Sequence, residues 1–358
     1  MFNLFLSVLF GLITGSFLGC CIYRIPRDIP IWKPSRSYCP GCNSVIRWFD
    51  NVPVFSWIRL RGRCSVCKKP ISWRYPMVEL LTAGLFVAGA YRFGFPVGLS
   101  IWLFYAALVA ATFIDLEFLL IPDVISFGCL VLGLLFSAIF PELHSARSPW
   151  IGIGSSAAGA FSGAAILFCI GELGKFAFGR YKLTLNHPVA FRFENQAEQD
   201  RCLFIDGERF GWDEHFFRSS DRIRLRANDI ELNDEPLGDS EISFQADHLQ
   251  YGNQVIPLSE IKQLTGTTSY AELPREAMGQ GDVKLLAAIG SFVGWKGILF
   301  CLPIAALAGS VFGVAAMLLG RRGLSARVPF GPFLSLAAVL WTQTGPQILA
   351  LYWRWIMS

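Results

Sequence analysis

Two sets of residues in this sequence have types and spacings that could do chemistry. The first is Cys39-Pro-Gly-Cys42 and Cys64-Ser-Val-Cys67, with 21 residues between the pairs. Four thiolates arranged as two such knuckles suit tetrahedral coordination of Zn²⁺. Cysteine fills all four positions, so no coordination site is left open, and the metal would fold a loop rather than catalyse. The alternatives are two disulfides or four idle thiols. The six remaining cysteines, at 20, 21, 129, 169, 202 and 301, stand in apolar or scattered settings and read as packing residues.

The second set is acidic. Asp115 lies in the stretch FIDLEFLLIPD, and Asp282 follows Gly279-Gln-Gly281 at the start of an apolar run. An ionised carboxylate in a membrane helix costs about 2.5–3.5 kcal/mol at the bilayer centre on insertion scales, so such residues are functional candidates. Two carboxyls close together in a low dielectric cannot both ionise, and they can share one proton. That is the acid/base arrangement of an aspartic protease: one carboxylate activates water while its protonated partner polarises a carbonyl. Gly279 and Gly281 lack Cβ atoms and let backbone approach closely, either a neighbouring helix or an extended substrate. Taken alone, Asp282 reads equally well as an N-cap. Asp115 also competes with Glu117 and Asp123, so three acids fall within nine residues. A proton-coupled transporter would use membrane acids too, but nearer mid-membrane than these helix ends.

The elements that must position these groups are apolar. The chain has 358 residues, 53% hydrophobic and 16% charged, with mean hydropathy +0.45. Soluble domains carry about 25% charged residues, so this is the composition of a membrane protein. Eight runs approach the roughly 20 residues that span a bilayer: 3–23, 77–94, 97–114, 122–140, 150–177, 283–295, 297–320 and 330–353. The first has almost no charged leader region and no small-residue cleavage site, and reads as a permanent helix.

The loop 24–74 holds eleven Lys/Arg against Asp28 and Asp50, and Arg321, Arg322 and Arg327 mark a second basic loop. The positive-inside rule places both in the cytoplasm, with the N-terminus outside. Alternation then brings Asp115 and Asp282 to the same cytoplasmic face.

The expected division is a first membrane helix, 1–23; a cytoplasmic cysteine loop, 24–76; membrane helices two to five, 77–182; a cytoplasmic insert, 183–276; and the Gly-x-Gly-Asp element with the last helices, 277–358. The insert differs in kind from the rest. Residues 185–275 carry 17 Asp/Glu and 9 Lys/Arg, a net charge of −8, whereas the whole chain is +4. Its alternating segments DRIRLRANDIELND and EISFQADHLQYGNQVIPL predict a small, mainly β domain. Its acidity suits either a docking module for a basic partner or a solubilised surface domain.

In their order, these elements resemble the type IV prepilin peptidases, membrane aspartic proteases of bacterial pilus and type II secretion systems. The resemblance runs through GSFLGCCIYRIPR, both cysteine pairs with RWFDNVPVFSWIRLRGRC between them, and ISWRYPMVELLTAG. It continues through FIDLEFLLIPD, MGQGDVKLLAAIGSFVGW and VPFGPFLSLAAVLW. It implies an all-α polytopic protein of about eight transmembrane helices in the bacterial inner membrane, with Asp115 and Asp282 as the catalytic pair.

The implied activity is cleavage of the short basic leader of prepilins or pseudopilins on the cytoplasmic side, after a glycine. N-methylation of the new terminus with S-adenosylmethionine would follow. The implied partners are these precursors, membrane lipid and the pilus or secretion machinery, with no nucleic acid. Two positions depart from the usual pattern: Gly19 stands where Asn is expected, and Ala83-Gly84 shifts a glycine by one. No Rossmann-type glycine fingerprint marks a methyl-donor site. The rival readings are the proton-coupled transporter and a zinc-bearing assembly subunit without catalysis.

Overall fold

The structure is a computed structural model and describes residues 2–33, 36–178, 180–195, 201–212, 216, 221–233, 235–274, 278–319 and 328–357. The basic loop at Arg321, Arg322 and Arg327 lies outside the described residues. Two compact units divide the chain: residues 1–168 with 280–358, and residues 169–279.

The first unit is helical. Its elements are α1 (Phe2–Arg24), the short α2 (Phe55–Arg59), α3 (Arg74–Phe93), α4 (Val97–Phe118), α5 (Asp123–Ile139), α6 (Pro149–Phe178, which from Cys169 on belongs to the second unit), α7 (Gln280–Leu318) and α8 (Gly331–Met357). Among the described residues, four segments are long and apolar enough to cross a membrane by length and composition: Leu4–Arg27, Val97–Phe118, Pro149–Phe176 and Gln280–Leu318. Helix α5 is apolar but has 17 residues.

The runs expected at 283–295 and 297–320 both fall in α7, which breaks at Gly294 with φ 68° and ψ 176°. A side chain rarely adopts that positive φ, and a Cβ there would also meet His144 Nδ1 at 3.3 Å. The eight apolar runs therefore correspond to seven long helices among the described residues.

Helix α4 is the centre of this unit. Its Trp102, Ala106, Val109, Ala110, Phe113 and Ile114 pack with Leu18 and Ile22 of α1 and with Val78 and Phe86 of α3. Trp102 stacks on Phe86 at 4.8 Å and donates its indole N–H to Phe86 O at 2.7 Å. On another side Phe104 stacks on Phe292 of α7 at 4.4 Å, and Tyr105 Oη meets Thr342 Oγ1 of α8 at 2.7 Å. A buried hydroxyl needs such a partner, so this contact registers α4 against α8.

Helix α4 ends where Leu119 takes the left-handed conformation (φ 54°) and donates its N–H to Asp115 O. Pro122 then opens α5, as proline suits a helix start. Between them Ile121 is buried beside the end of α4.

The second unit is the expected β-rich insert. Among the described residues eight antiparallel strands, β1 (Arg180–Asn195), β2 (Arg201–Ile205), β3 (Glu208–Gly211), β4 (Ile223–Leu232), β5 (Glu235–Phe244), β6 (His248–Tyr251), β7 (Gln254–Pro257) and β8 (Gln263–Pro274), form one sheet in the order β3-β2-β1-β8-β4-β5-β6-β7. Strand β1 (Arg180–Asn195) pairs with β8 (Gln263–Pro274), and their outer ends meet at Arg180 and Pro274. In β4 (Ile223–Leu232), Ile223, Leu225 and Ala227 face inward at a period of two, as strand alternation requires. They join Phe191, Phe193, Leu203, Ile242, Phe244 and Leu264 in a core belonging to this unit alone.

Candidate active site and metal centre

The cysteine loop folds as two copies of one knuckle. Cys39 N donates to Ser44 O at 2.9 Å, and Cys64 N donates to Lys69 O at 2.9 Å. Asn43 N returns to Cys39 O, and Lys68 N returns to Cys64 O. The residue after each second cysteine is left-handed, Asn43 at φ 54° and Lys68 at φ 59°. Bridges close both knuckles at equivalent places, Tyr38 with Val45 and Arg63 with Pro70.

The four Sγ atoms lie within 4.8 Å of one another, and Cys39 Sγ is 3.8 Å from Cys67 Sγ. A tetrahedron of thiolates around Zn²⁺ at about 2.3 Å has an edge of about 3.8 Å, so the donor set fits the ion. All ten cysteines are free thiols, so the disulfide alternative is not realised. The Ser44 hydroxyl and backbone hold the Cys42 thiol down to about 6, whereas Cys67, against a backbone hydrogen bond at Lys69, is pushed up to about 11 by desolvation and the neighbouring cysteines, as expected of four thiols this close.

The three acids that compete in sequence separate by their partners. Glu117 is paired with Arg27 at 3.5 Å and with Arg74. Asp123 is held by Lys284 of α7, with Nζ 2.7 and 2.9 Å from its two oxygens. Asp115 is 5% exposed and, among the described residues, has no cation. Its Oδ2 accepts the Gly331 N–H at 2.9 Å.

Asp282 stands in the first turn of α7, close enough to Asp115 for the two carboxyls to repel if both ionise. Ile121 is the spacer between the elements. A Cβ on Gly281 would lie 3.1 Å from Ile121 Cβ, and one on Gly331 would lie 3.1 Å from Ile121 Cδ1. Gly281 therefore serves the approach of α7 to the end of α4, whereas Gly279 is exposed. Sequence reading missed Gly331 and Ile121. The Pro-Phe-Gly-Pro run at 329–332 was the available signal, since glycine between prolines marks a constrained backbone.

A separate cavity of about 390 Å³ lies between α1, α3 and the cysteine loop, walled by Gly19, Tyr23, Tyr38, Trp57, Tyr75 and Glu79 among others. Glu79 is a carboxylate on this wall, 8% exposed, and its Oε2 accepts the Val54 N–H at 2.7 Å. Val54 has φ 59°, an outlying conformation for a β-branched residue and one held here by that hydrogen bond. One of the two departures from pattern, Gly19, lines this cavity. A Cβ at Gly19 would come within 3.2 Å of the Tyr75 ring, so a larger residue would enter the cavity wall. The close contact of α1 with α3 rests on α1 glycines: a Cβ on Gly15 would fall 2.6 Å from Glu79 Cα, while Gly84 faces open space. The shifted glycine of α3 thus carries no packing duty.

The chain is similar to known proteins along most of its length. A model of the bacterial peptidase A24 N-terminal domain matches residues 9–93, and one of the type IV leader peptidase family matches 102–194 and 264–314. The chain is 29% identical to a prepilin leader peptidase/N-methyltransferase of Aeromonas hydrophila, over 94% of this chain and 90% of that protein. It is 27% identical to one of Pseudomonas aeruginosa, over 97% and 92%. A shorter stretch of 123 residues is 47% identical to one of Myxococcus xanthus, covering 34% of this chain and 36% of that protein. No solved structure matches. Four apolar helices and two family models covering most of the helical unit make this an integral membrane protein, and the chain belongs to the type IV leader peptidase family.

Proposed function

We propose that this chain is a membrane aspartic endopeptidase that removes the basic leader of prepilins or pseudopilins at the cytoplasmic face of the bacterial inner membrane. Asp115 and Asp282 are the catalytic pair, and the protein crosses the bilayer about eight times. The observation that carries the reading is the environment of Asp115. It is buried, has no cation among the described residues and lies near enough to Asp282 for the two charges to interact, while Glu117 and Asp123 are tied up in ion pairs.

One carboxylate takes a proton from water as the water oxygen bonds to the scissile carbonyl carbon. The other carboxyl gives its proton to the carbonyl oxygen. As the C–N bond breaks, the first group passes its proton to the departing amine and the second recovers its own. A transporter could use the same acids, but it gives no role to four clustered thiols or to a second cavity.

The second step is N-methylation of the new terminus. The 390 Å³ cavity is of the size that holds small-molecule ligands; its tyrosines, Trp57 and Glu79 suit a sulfonium cation and a purine ring, while Arg24 and Lys69 on the same wall suit a carboxylate. S-adenosylmethionine, when bound, supplies an electrophilic methyl group. Tyr23, Tyr38, Trp57 and Tyr75 would hold the donor, and Glu79 would accept a hydrogen bond from the incoming amine. Zn²⁺ on Cys39, Cys42, Cys64 and Cys67 would fix the loop that forms one wall. Pilus or secretion components and lipid are the surroundings in which the reaction runs.

The test is reconstitution in proteoliposomes with a prepilin substrate. Leader cleavage, followed by transfer of labelled methyl to the new N-terminus, is the expected result. Proton-coupled flux without cleavage would overturn the reading in favour of transport.

A further inference from the structure

A shared-proton pair leaves open which aspartate is the base. The two carboxyls differ in their surroundings. Asp282 lies in the first turn of its own helix, which favours its anion in a diffuse way. Asp115 sits in the last turn of α4, where the helix dipole opposes its anion, but it receives a directed N–H from another helix, Gly331 N to Oδ2 at 2.9 Å. Gly331 is the first residue of α8, so that donor is one of the N–H groups a helix cannot use internally. A donor aimed at a carboxylate stabilises the charged form.

Glycine is required there for close approach. A Cβ would lie 2.8 Å from Asp115 Oδ2 and 3.1 Å from Ile121 Cδ1. Phe330 O accepts from Phe333 and Leu334, which fixes the first turn of α8 and hence the direction of the Gly331 N–H.

The other charged groups nearby are already engaged. Lys284 of α7 holds Asp123 of α5, Arg27 and Arg74 hold Glu117 on α4, and the first turn of α8 has no ionisable residue. Asp282 is therefore the one titratable group facing Asp115 without a counter-ion among the described residues.

We propose that Gly331 is a positioning residue whose N–H keeps Asp115 the ionised member of the pair, making Asp115 the base toward water and Asp282 the proton donor toward the carbonyl. The assignment rests on the reading of Asp115 and Asp282 as the catalytic pair. It also gives the Pro-Phe-Gly-Pro turn a task in the reaction, because a shift of α8 would change the protonation of a group on α4.

Two substitutions take the N–H away from Asp115 by different routes. Gly331→Pro removes the N–H at the first helical position, where proline is tolerated, and Gly331→Ala keeps the N–H but crowds the carboxylate. Cleavage of a prepilin substrate is followed from pH 4 to 9 for both variants and for the unaltered enzyme. Expected for Gly331→Pro is a kcat lower by about tenfold or more, a KM within about twofold, and an acid limb moved up by about one pH unit, because the base has lost its donor.

An acid limb that stays in place in Gly331→Pro overturns the inference, since a merely structural glycine would lower activity without moving it. If that variant does not retain its zinc and its monodisperse behaviour in detergent, the decision passes to Gly331→Ala. Its Cβ displaces the carboxylate from the N–H, and the same upward movement is expected; no movement overturns the inference. Asp115→Asn and Asp282→Asn are assayed in parallel. Activity retained in either removes the catalytic pair itself. Loss in both with an unmoved limb removes only the role of Gly331.

Discussion

At the scale of single residues, ion pairing separates the acids: Glu117 and Asp123 have cationic partners, and Asp115 has none among the described residues. Asp115→Asn and Asp282→Asn are each expected to reduce leader cleavage by about 10²-fold or more, because neither carboxyl can serve as both base and acid. Processing at matched membrane levels checks this, and Asp123→Asn is the contrast. Asp123 is half exposed on Lys284, so its loss should leave the rate within a few-fold. Activity surviving in either of the first two would transfer attention to the rest of the acidic cluster.

How much of this was legible beforehand depends on the kind of evidence each residue offers. A lone acid beside glycines and an apolar run stands out in sequence, so Asp282 could be singled out. Asp115 could be found only as one of three, because the cations that occupy Glu117 and Asp123 come from the turn after α1, from α3 and from α7. Gly331 acts through its backbone and Ile121 through its shape, and neither property leaves a residue-type signature. Glu79 carried a signal, an acid at the start of an apolar helix, but its partner is the backbone of Val54, 25 residues away.

At the scale of elements, the site depends on how helices stop and start. The cysteine knuckles were legible because metal geometry is written into spacing, and the structure brings the four thiols together. Purified protein is expected to hold about one zinc per chain, and replacement of Cys39, Cys42, Cys64 and Cys67 by serine should abolish it. Metal analysis checks both, and zinc unchanged in the quadruple variant would place the ligands elsewhere.

The break in α7 was read as a gap between two helices, and its cause lay out of reach. His144, in the turn before α6, fills the space beside Gly294 and lies 2.8 Å from Ser137 Oγ of α5. Burial pushes the His144 pKa below its ordinary value of 6.5, with a backbone hydrogen bond at Ser291 opposing. The unfolded chain thus binds this proton more readily than the folded one. The stability His144 contributes is present above about pH 6.5 and is lost as pH falls toward the folded value. Thermal unfolding at pH 7.5 and 5.5 should show lower stability at the acid pH. His144→Gln should lose about 1 kcal/mol at pH 7.5 and much of that pH difference. An undiminished difference in the variant would assign the acid sensitivity to another group.

At the scale of the whole molecule, the β unit reads as an insertion into the peptidase framework. The family match stops at residue 194 and resumes at 264, leaving most of the sheet outside it. The sheet has its own core, and the chain enters and leaves it on paired strands, Arg180 opposite Pro274. Paired antiparallel residues lie about 5 Å apart, so a short linker can close the gap that excision leaves. Replacement of residues 180–274 by a few Gly and Ser residues should therefore leave the helical unit folded, with kcat for cleavage within about twofold. Residues 185–275 carry net charge −8, and the leaders proposed as substrate are basic. Opposite charge raises local concentration and on-rate, an effect that salt screens over about 8 Å at physiological ionic strength. The excised enzyme should then show a raised KM at low salt and a weaker dependence of KM on salt. Its kcat should be kept, because only binding common to ground and transition states has been removed. Cleavage measured against substrate concentration at low and high salt, with and without the insert, is the check. Identical KM values and identical salt responses would leave the acidic surface with solubility as its role.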